Sequence, residues 1–186
     1  QFEQTTCNAH DIRVIRVANQ LFANLTVPSS SPGGRHEEDH AHRPEQRLHR
    51  DDHALHEQPE LLYDLEKTSM AVRARLDELG ISYEHSIAKT GIVATIGTGK
   101  PPCVALRADM DALPIHEEDR GCPFRSQTDG KMHACGHDAH TAMLLTAGRL
   151  LKARESSIPG TVKLIFQPAE EGGAGGGAGG GRERGE

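Results

Sequence analysis

Met132-His133-Ala134-Cys135-Gly136-His137-Asp138-Ala139-His140, taken with Pro168-Ala169-Glu170-Glu171-Gly172, decides how this chain is read. The first stretch packs one thiol and three imidazoles into nine positions. The second sets two adjacent carboxylates behind an apolar run. Thiolate and imidazole donors that hold an ion, beside a carboxylate that moves protons, are the parts of a hydrolytic metal centre. Cys135 and His137 lie two apart, so a tight turn or an extended segment can bring both to one ion, with His133 and His140 as alternatives. A Cys-x-His pair alone is a weak signal, and so is a Glu-Glu pair, because adjacent acids usually face water. Together, each at the end of an element, they point to a site.

Working outward from these stretches, the hydrophobic pattern predicts an α/β fold. Leu62, Leu65, Val72, Leu76 and Leu79 recur at three- and four-residue steps or multiples of them. That period predicts a helix from about Leu61, with Pro59 in its first turn and Gly80 as its C-terminal cap. Short β-branched runs predict strands over Ile81–Ile87, Gly91–Gly97, Cys103–Arg107 and Gly160–Phe166. Cys103 opens its run and reads as a buried small hydrophobe. A second helix is predicted over His140–Arg154, entered through Gly136-His137-Asp138, where Asp138 can cap and the positive helix end favours a nearby thiolate. Asp109 and Asp111 leave the third run two apart, pointing the same way if the strand continues. In an extended exit from the last strand, Glu170 and Glu171 would point to opposite sides. One could then ligate while the other faces a bound water. Both candidate stretches fall at element ends, where α/β folds commonly put chemistry.

The bulk numbers set limits. A formal charge of −6 and a pI near 6.1 argue against nonspecific nucleic-acid binding, which needs a basic face. No apolar run approaches the ~20 residues of a membrane span, and no signal segment is found in this chain. The four cysteines lack Cys-x-x-Cys spacing and the density of a disulfide scaffold. Gly99-Lys100 is not a phosphate loop, because Ala94 and Pro101 stand where glycine and Ser or Thr are required. Hydrophobic content of 35% and aromatic content of 3% are low for 186 residues, so the compact part is expected to be shorter than the chain. Residues 1–52 read as a disordered, histidine-rich arm, with order beginning near His53. Residues 53–173 read as the folded part and 174–186 as a disordered glycine-rich tail.

Four stretches carry a family resemblance. Val104-Ala-Leu-Arg-Ala-Asp109-Met-Asp111-Ala-Leu-Pro114, Gly130-Lys-Met-His133-Ala-Cys135-Gly-His137-Asp-Ala-His140 and Phe166-Gln-Pro-Ala-Glu170-Glu171-Gly-Gly173 occur in that order. They resemble the plant auxin-conjugate amidohydrolases, or IAA-amino acid hydrolases, within the aminoacylase/carboxypeptidase-type metallopeptidases. His56-Glu-Gln-Pro-Glu-Leu61 matches that family's first helix entry, and the resemblance runs from about Asp52 to Gly175. It implies an α/β, three-layer metallopeptidase catalytic domain holding two divalent ions, often manganese. The reaction implied is hydrolysis of the amide link between indole-3-acetic acid and an amino acid. By motif position the resemblance makes Cys135, His137 and Glu171 metal ligands and Glu170 the general base. Asp111 would orient a ligand, and His133 and His140 would be structural. It further implies the endoplasmic reticulum lumen or secretory route, although no retention motif is found here.

The departures shape the expectation as much as the matches. The family's inserted lid or dimerisation domain, its further catalytic half and two more histidine ligands have no counterpart in this sequence, so a partial catalytic domain is expected. Three protein ligands hold at most one ion, and turnover by this chain is not expected. The expected partner is a small-molecule N-acyl amino acid, with no nucleic acid and no membrane. The alternative function is a catalytically dead metal-binding or interaction fragment that associates with a full-length relative through exposed strand edges.

Overall fold

The structure, a computed structural model, describes residues 12–16, 44–118 and 121–172. In chain order its elements are β1 (Ile12–Arg16), α1 (Pro44–His56), α2 (Glu66–Glu78), β2 (Ser82–Ile87), β3 (Gly91–Gly97), β4 (Cys103–Asp109), α3 (His137–Lys152) and β5 (Thr161–Gln167). The strands form one mixed sheet of order β1-β4-β5-β3-β2. β1, β4 and β5 run parallel, and β3 and β2 continue the sheet antiparallel. β4, α3 and β5 thus make a βαβ unit at the centre, and their carboxyl ends open on one rim.

The core follows from register. Ile92 pairs with Phe166 and Phe166 with Ala108, while Ala94 pairs with Leu164 and Leu164 with Leu106. These rows meet Val72 and Leu76 of α2 and Leu144 and Leu145 of α3 in one cluster. Full burial of each large apolar side chain contributes about 1.5–3 kcal/mol, which makes this face the main source of stability. The opposite face is mixed: Lys163 Nζ donates to Thr95 Oγ1 at 2.7 Å. The described residues therefore supply the sheet and one helical layer of the three layers expected. Among them no helix is long and apolar enough to cross a membrane.

The expected helix is present but starts later, at Glu66 rather than near Leu61. Its start is held from a distance, by the Glu60 carboxylate accepting the backbone N–H groups of Lys67 at 3.2 Å and Thr68 at 2.8 Å. Pro59 therefore lies ahead of the helix and outside its first turn. The other end behaves as the sequence predicts. Gly80 adopts φ 63, its N–H reaches Asp77 O, and the Ile81 N–H reaches Leu76 O at 2.9 Å. That pair of bonds is a Schellman cap, closed by Ile81 and Leu76 meeting in the core.

Order extends further toward the N-terminus than the boundary expected at His53. α1 begins at Pro44 and lies across α3, with Leu55 buried and Asp51 accepting from Arg75 Nε at 2.8 Å. Its sequence carries too few apolar residues to announce a helix, and polar bridges to α2 and α3 hold it instead. β1 likewise pairs with β4 from within the stretch read as a disordered arm. The remainder of that arm and the glycine-rich tail lie outside the described residues.

One close approach generates a prediction. A Cβ on Gly160 would sit 2.1 Å from the Pro102 carbonyl oxygen, the same oxygen that accepts the Thr161 N–H at 2.9 Å. Backbone cannot move aside as a side-chain tip can, so Gly160→Ala is expected to lower stability by about 2 kcal/mol or more. Gly130→Ala has open space around it and meets only the left-handed backbone, so it should cost about 1 kcal/mol. Thermal unfolding followed by circular dichroism compares the two.

Candidate metal centre

The rim at the carboxyl ends of β4 and β5 is organised by Asp111, which has no exposed surface. Its two carboxylate oxygens accept the backbone N–H groups of Glu170 and Glu171, each at 3.1 Å. Burial by itself would raise this carboxyl. His137 and the two amides outweigh burial and hold it below the usual carboxylate range. The backbone carbonyl of Asp111 lies 2.8 Å from His137 Nδ1. A carbonyl can only accept, so Nδ1 carries the proton and the Nε2 lone pair is left to face the rim.

His137 Nε2 stands 4.0 Å from Glu170 Oε2 and 4.0 Å from Glu171 Oε1. One donor atom each from Cys135, His137 and Glu171 lie within 4.8 Å of one another. The two His137 separations are too long for hydrogen bonds. The whole group is as compact as donors sharing an ion at about 2.0–2.3 Å, which are themselves roughly 3–4.5 Å apart. Glu171 Oε1 is buried with no hydrogen-bond partner among the described residues, the signature of an oxygen built for something other than protein. Burial first, then the Glu171 and Glu170 carboxylates, push the Cys135 thiol up, and a divalent ion would reverse that sign and favour the thiolate. The donor set therefore fits a divalent cation.

The structure redistributes several expected roles. Glu170 and Glu171 do not leave β5 in an extended strand. Ala169 takes φ 58 and turns the chain, so both carboxylates approach His137 from one rim. Asp109 and Asp111 do not act as a pair. Asp109 is ion-paired with Arg107, whose Nε donates to Gln167 Oε1 at 2.6 Å, while Asp111 alone holds the glutamate turn. α3 starts at His137, three residues earlier than expected, with Gly136 at φ 82 as its N-cap. Asp138 makes no cap and instead meets His56 Nδ1 at 2.6 Å. His140 is exposed, with its ring 6.1 Å from that of His137. His133 is buried outside the donor set, and neither of its ring nitrogens has a partner among the described residues.

Sequence reasoning missed the bridge behind the centre. His56 spans two buried carboxylates, Asp138 at 2.6 Å and Glu117 at 3.3 Å, while Glu117 also accepts the Ser126 N–H at 2.5 Å. The bridge ties α1 and the 117–126 connector to the first turn of α3. Burial works against the charged form of His56, but the two carboxylates outweigh it and raise its pKa. Only the motif that begins at His56 marked this residue, since nothing in residue spacing joins it to Asp138.

Comparison with known proteins gives a consistent result. Residues 105–183 match the model of Peptidase family M20/M25/M40. The chain is 56% identical over 119 residues to IAA-amino acid hydrolase ILR1-like 5 of Arabidopsis thaliana, covering 64% of this chain and 27% of that protein. It is 50% identical over 132 residues to N-acetyl-L-cysteine deacetylase of Bacillus subtilis, covering 70% and 32% respectively. Among solved structures it resembles a Bacillus subtilis protein described as a dinuclear metal binding peptidase. That match has a TM-score of 0.67 at 44% identity and covers 71% of this chain and 37% of that one. The chain thus spans about a quarter to a third of the length of the curated relatives it matches.

Two predictions come from this geometry. Asp111→Asn keeps the shape but turns an acceptor of two amides into a partial donor, so it should cost about 2 kcal/mol in a urea titration. The second concerns pH. The folded chain binds the His56 proton more tightly than the unfolded chain, whose histidines titrate near 6.5. The bridge is therefore fully present below that pH, and its contribution is lost as pH rises through the raised folded value. His133 runs the other way, because burial pushes it down to about 4 and the unfolded chain binds the extra proton between about 4 and 6.5. His56→Gln should flatten the alkaline limb of the stability–pH curve and leave the acid limb in place.

Proposed function

We propose that this chain, whose residues 105–183 match the model of Peptidase family M20/M25/M40, carries the Cys135, His137 and Glu171 ligands of a metal-dependent amidohydrolase acting on N-acyl amino acids. The favoured substrates are conjugates of indole-3-acetic acid with an amino acid, and manganese is the favoured ion. One observation carries the reading: a thiol, an imidazole nitrogen and a carboxylate oxygen converge within 4.8 Å, with the Glu171 oxygen buried and unpartnered. The family names fit it, since both relatives are named for removing an acyl group from an amino acid and differ in the size of that group.

The side chains divide the work. A bound divalent ion would act as a Lewis acid on the amide carbonyl and acidify a water in its shell. Cys135, His137 and Glu171 would hold that ion. Glu170 stands beside them, more exposed than Glu171, its Oε2 4.0 Å from His137 Nε2, in reach of a water at the centre. There it would serve as general base toward the attacking water and as general acid toward the departing amine nitrogen. Asp111 fixes the glutamate turn and the His137 ring, so both carboxylates reach the rim with their geometry set beforehand.

A second reading, metal binding without turnover, is favoured by the ligand count. Among the described residues a single group of three donors converges, whereas the solved relative is described as dinuclear. One pair of measurements separates the readings. Calorimetric titration with Mn²⁺ should give one ion per chain, with affinity falling at least about tenfold in Cys135→Ser or Glu171→Gln and little changed in Glu170→Gln. On the first reading, incubation with indole-3-acetyl-alanine and Mn²⁺ releases indole-3-acetic acid and Glu170→Gln slows release about 10²–10⁴-fold; on the second, which matches the expectation from the sequence, nothing is released. Ion binding with no release would leave the second reading standing, and no ion binding would remove both.

A further inference from the structure

Among the described residues, five other than glycine occupy the left-handed backbone region. Ser86 sits where the β2–β3 register shifts between His85 and Ile87, and Ala88 and Lys89 form the turn between the two strands; such conformations are routine at both places. The other two, Leu62 at φ 54 and Ala169 at φ 58, stand at the metal centre. Ala169 has an evident task, since it turns the chain so that Glu170 and Glu171 reach the rim. Leu62 also turns the chain, as the first of the two residues between Leu61 and Asp64, whose N–H reaches Leu61 O at 3.1 Å, but such a position calls for glycine or asparagine and not for leucine. A bulky side chain at positive φ is a genuine outlier, and strain of this kind concentrates at sites that bind or react.

The surroundings of Leu62 are well defined. Leu61 bridges Asp64 on one side and, in parallel, Ala112 on the other, while the Ala112 N–H donates to Glu60 O at 2.8 Å. These contacts tack the segment beside Asp111. The side chain lies against Gly172, the neighbour of Glu171: a Cβ on Gly172 would be 2.9 Å from Leu62 Cδ2. Yet Leu62 is 45% exposed, so packing does not account for an apolar residue here. Glycine would take the same φ without strain, and a polar residue would be better solvated. Neither backbone nor core explains leucine at this place.

We propose that Leu62 is a specificity-determining residue, the apolar wall that receives the acyl end of an N-acyl amino acid held at the Glu170–Glu171 rim. The inference rests on the amidohydrolase reading above and adds to it the part of the substrate that reading leaves open. Covering the exposed half of this side chain with a large ring favours a bulky apolar acyl group, while an acetyl group is too small to cover it. Leu62 takes no part in ion binding or proton transfer.

The chain has no tryptophan, so an indole ligand can be followed by its own emission without a protein tryptophan background. Binding of indole-3-acetyl-alanine to the full chain with Mn²⁺ is measured by that emission and binding of N-acetyl-alanine by calorimetry, each for wild type and Leu62→Gly. Glycine relieves the left-handed strain, so the variant should unfold at the same temperature or higher. It should nevertheless lose roughly fivefold in affinity for the indole conjugate and keep its affinity for N-acetyl-alanine. Unchanged indole affinity, or an equal loss for both ligands, would overturn the role of Leu62 while leaving the amidohydrolase reading intact. Failure of the wild-type chain to bind either ligand would overturn both.

Discussion

The Asp111 carboxylate accepts two consecutive backbone amides from the turn after β5, and its carbonyl accepts the His137 Nδ1 proton. Three segments separated by dozens of positions are thereby held by one buried residue. The arrangement is stable because the charge is fully partnered. An isolated buried carboxylate would take up a proton, whereas this one has two N–H donors and an imidazole close by. Every distance at the rim depends on it. Were the amides of Glu170 and Glu171 released, the turn at Ala169 would lose its anchor, and the His137 ring would be free to rotate its lone pair away.

The first turn of α3 then serves two sides. His137 faces the rim, and Asp138, the next residue, faces the His56 bridge. Successive positions of a helix differ by about 100° in direction, so adjacent residues can be committed to separate clusters without competing. The bridge closes α1 over the back of the centre, while the front stays open to solvent through Cys135 and His140. This gives the centre a rigid rear wall made of charge pairs and a polar front.

Much of this was legible in the sequence, for identifiable reasons. β3 was delimited correctly because glycines bracket its β-branched run, and β4 and β5 ran only one or two residues past their predicted ends. The C-terminal end of α2 was legible because Gly80 is needed at φ 63. Element ends alone left His133, His140 and either glutamate open, and only the family resemblance of the motifs implied the set Cys135, His137 and Glu171, whose donor atoms lie together in the structure. What escaped was long-range and polar. Nothing local says that Glu60 caps a helix beginning at residue 66, that Asp138 turns toward His56 instead of capping, or that α1 forms from a sequence with so little apolar content. Such bonds join partners as far as 82 positions apart, and periodicity has no access to them. The extended exit expected for Glu170 and Glu171 failed for another reason, the positive φ at Ala169, a conformation that glycine or asparagine advertises in a sequence and alanine does not.

All three donors come from the stretch that runs from the end of β4 through α3 to the end of β5, so the cradle is a property of one supersecondary unit. Any ion held there would prefer the chain with that unit closed and would find no comparable site in the open one. By thermodynamic linkage, uptake of the ion and pairing of β4 with β5 then become a single equilibrium viewed from two ends, each drawing the other forward.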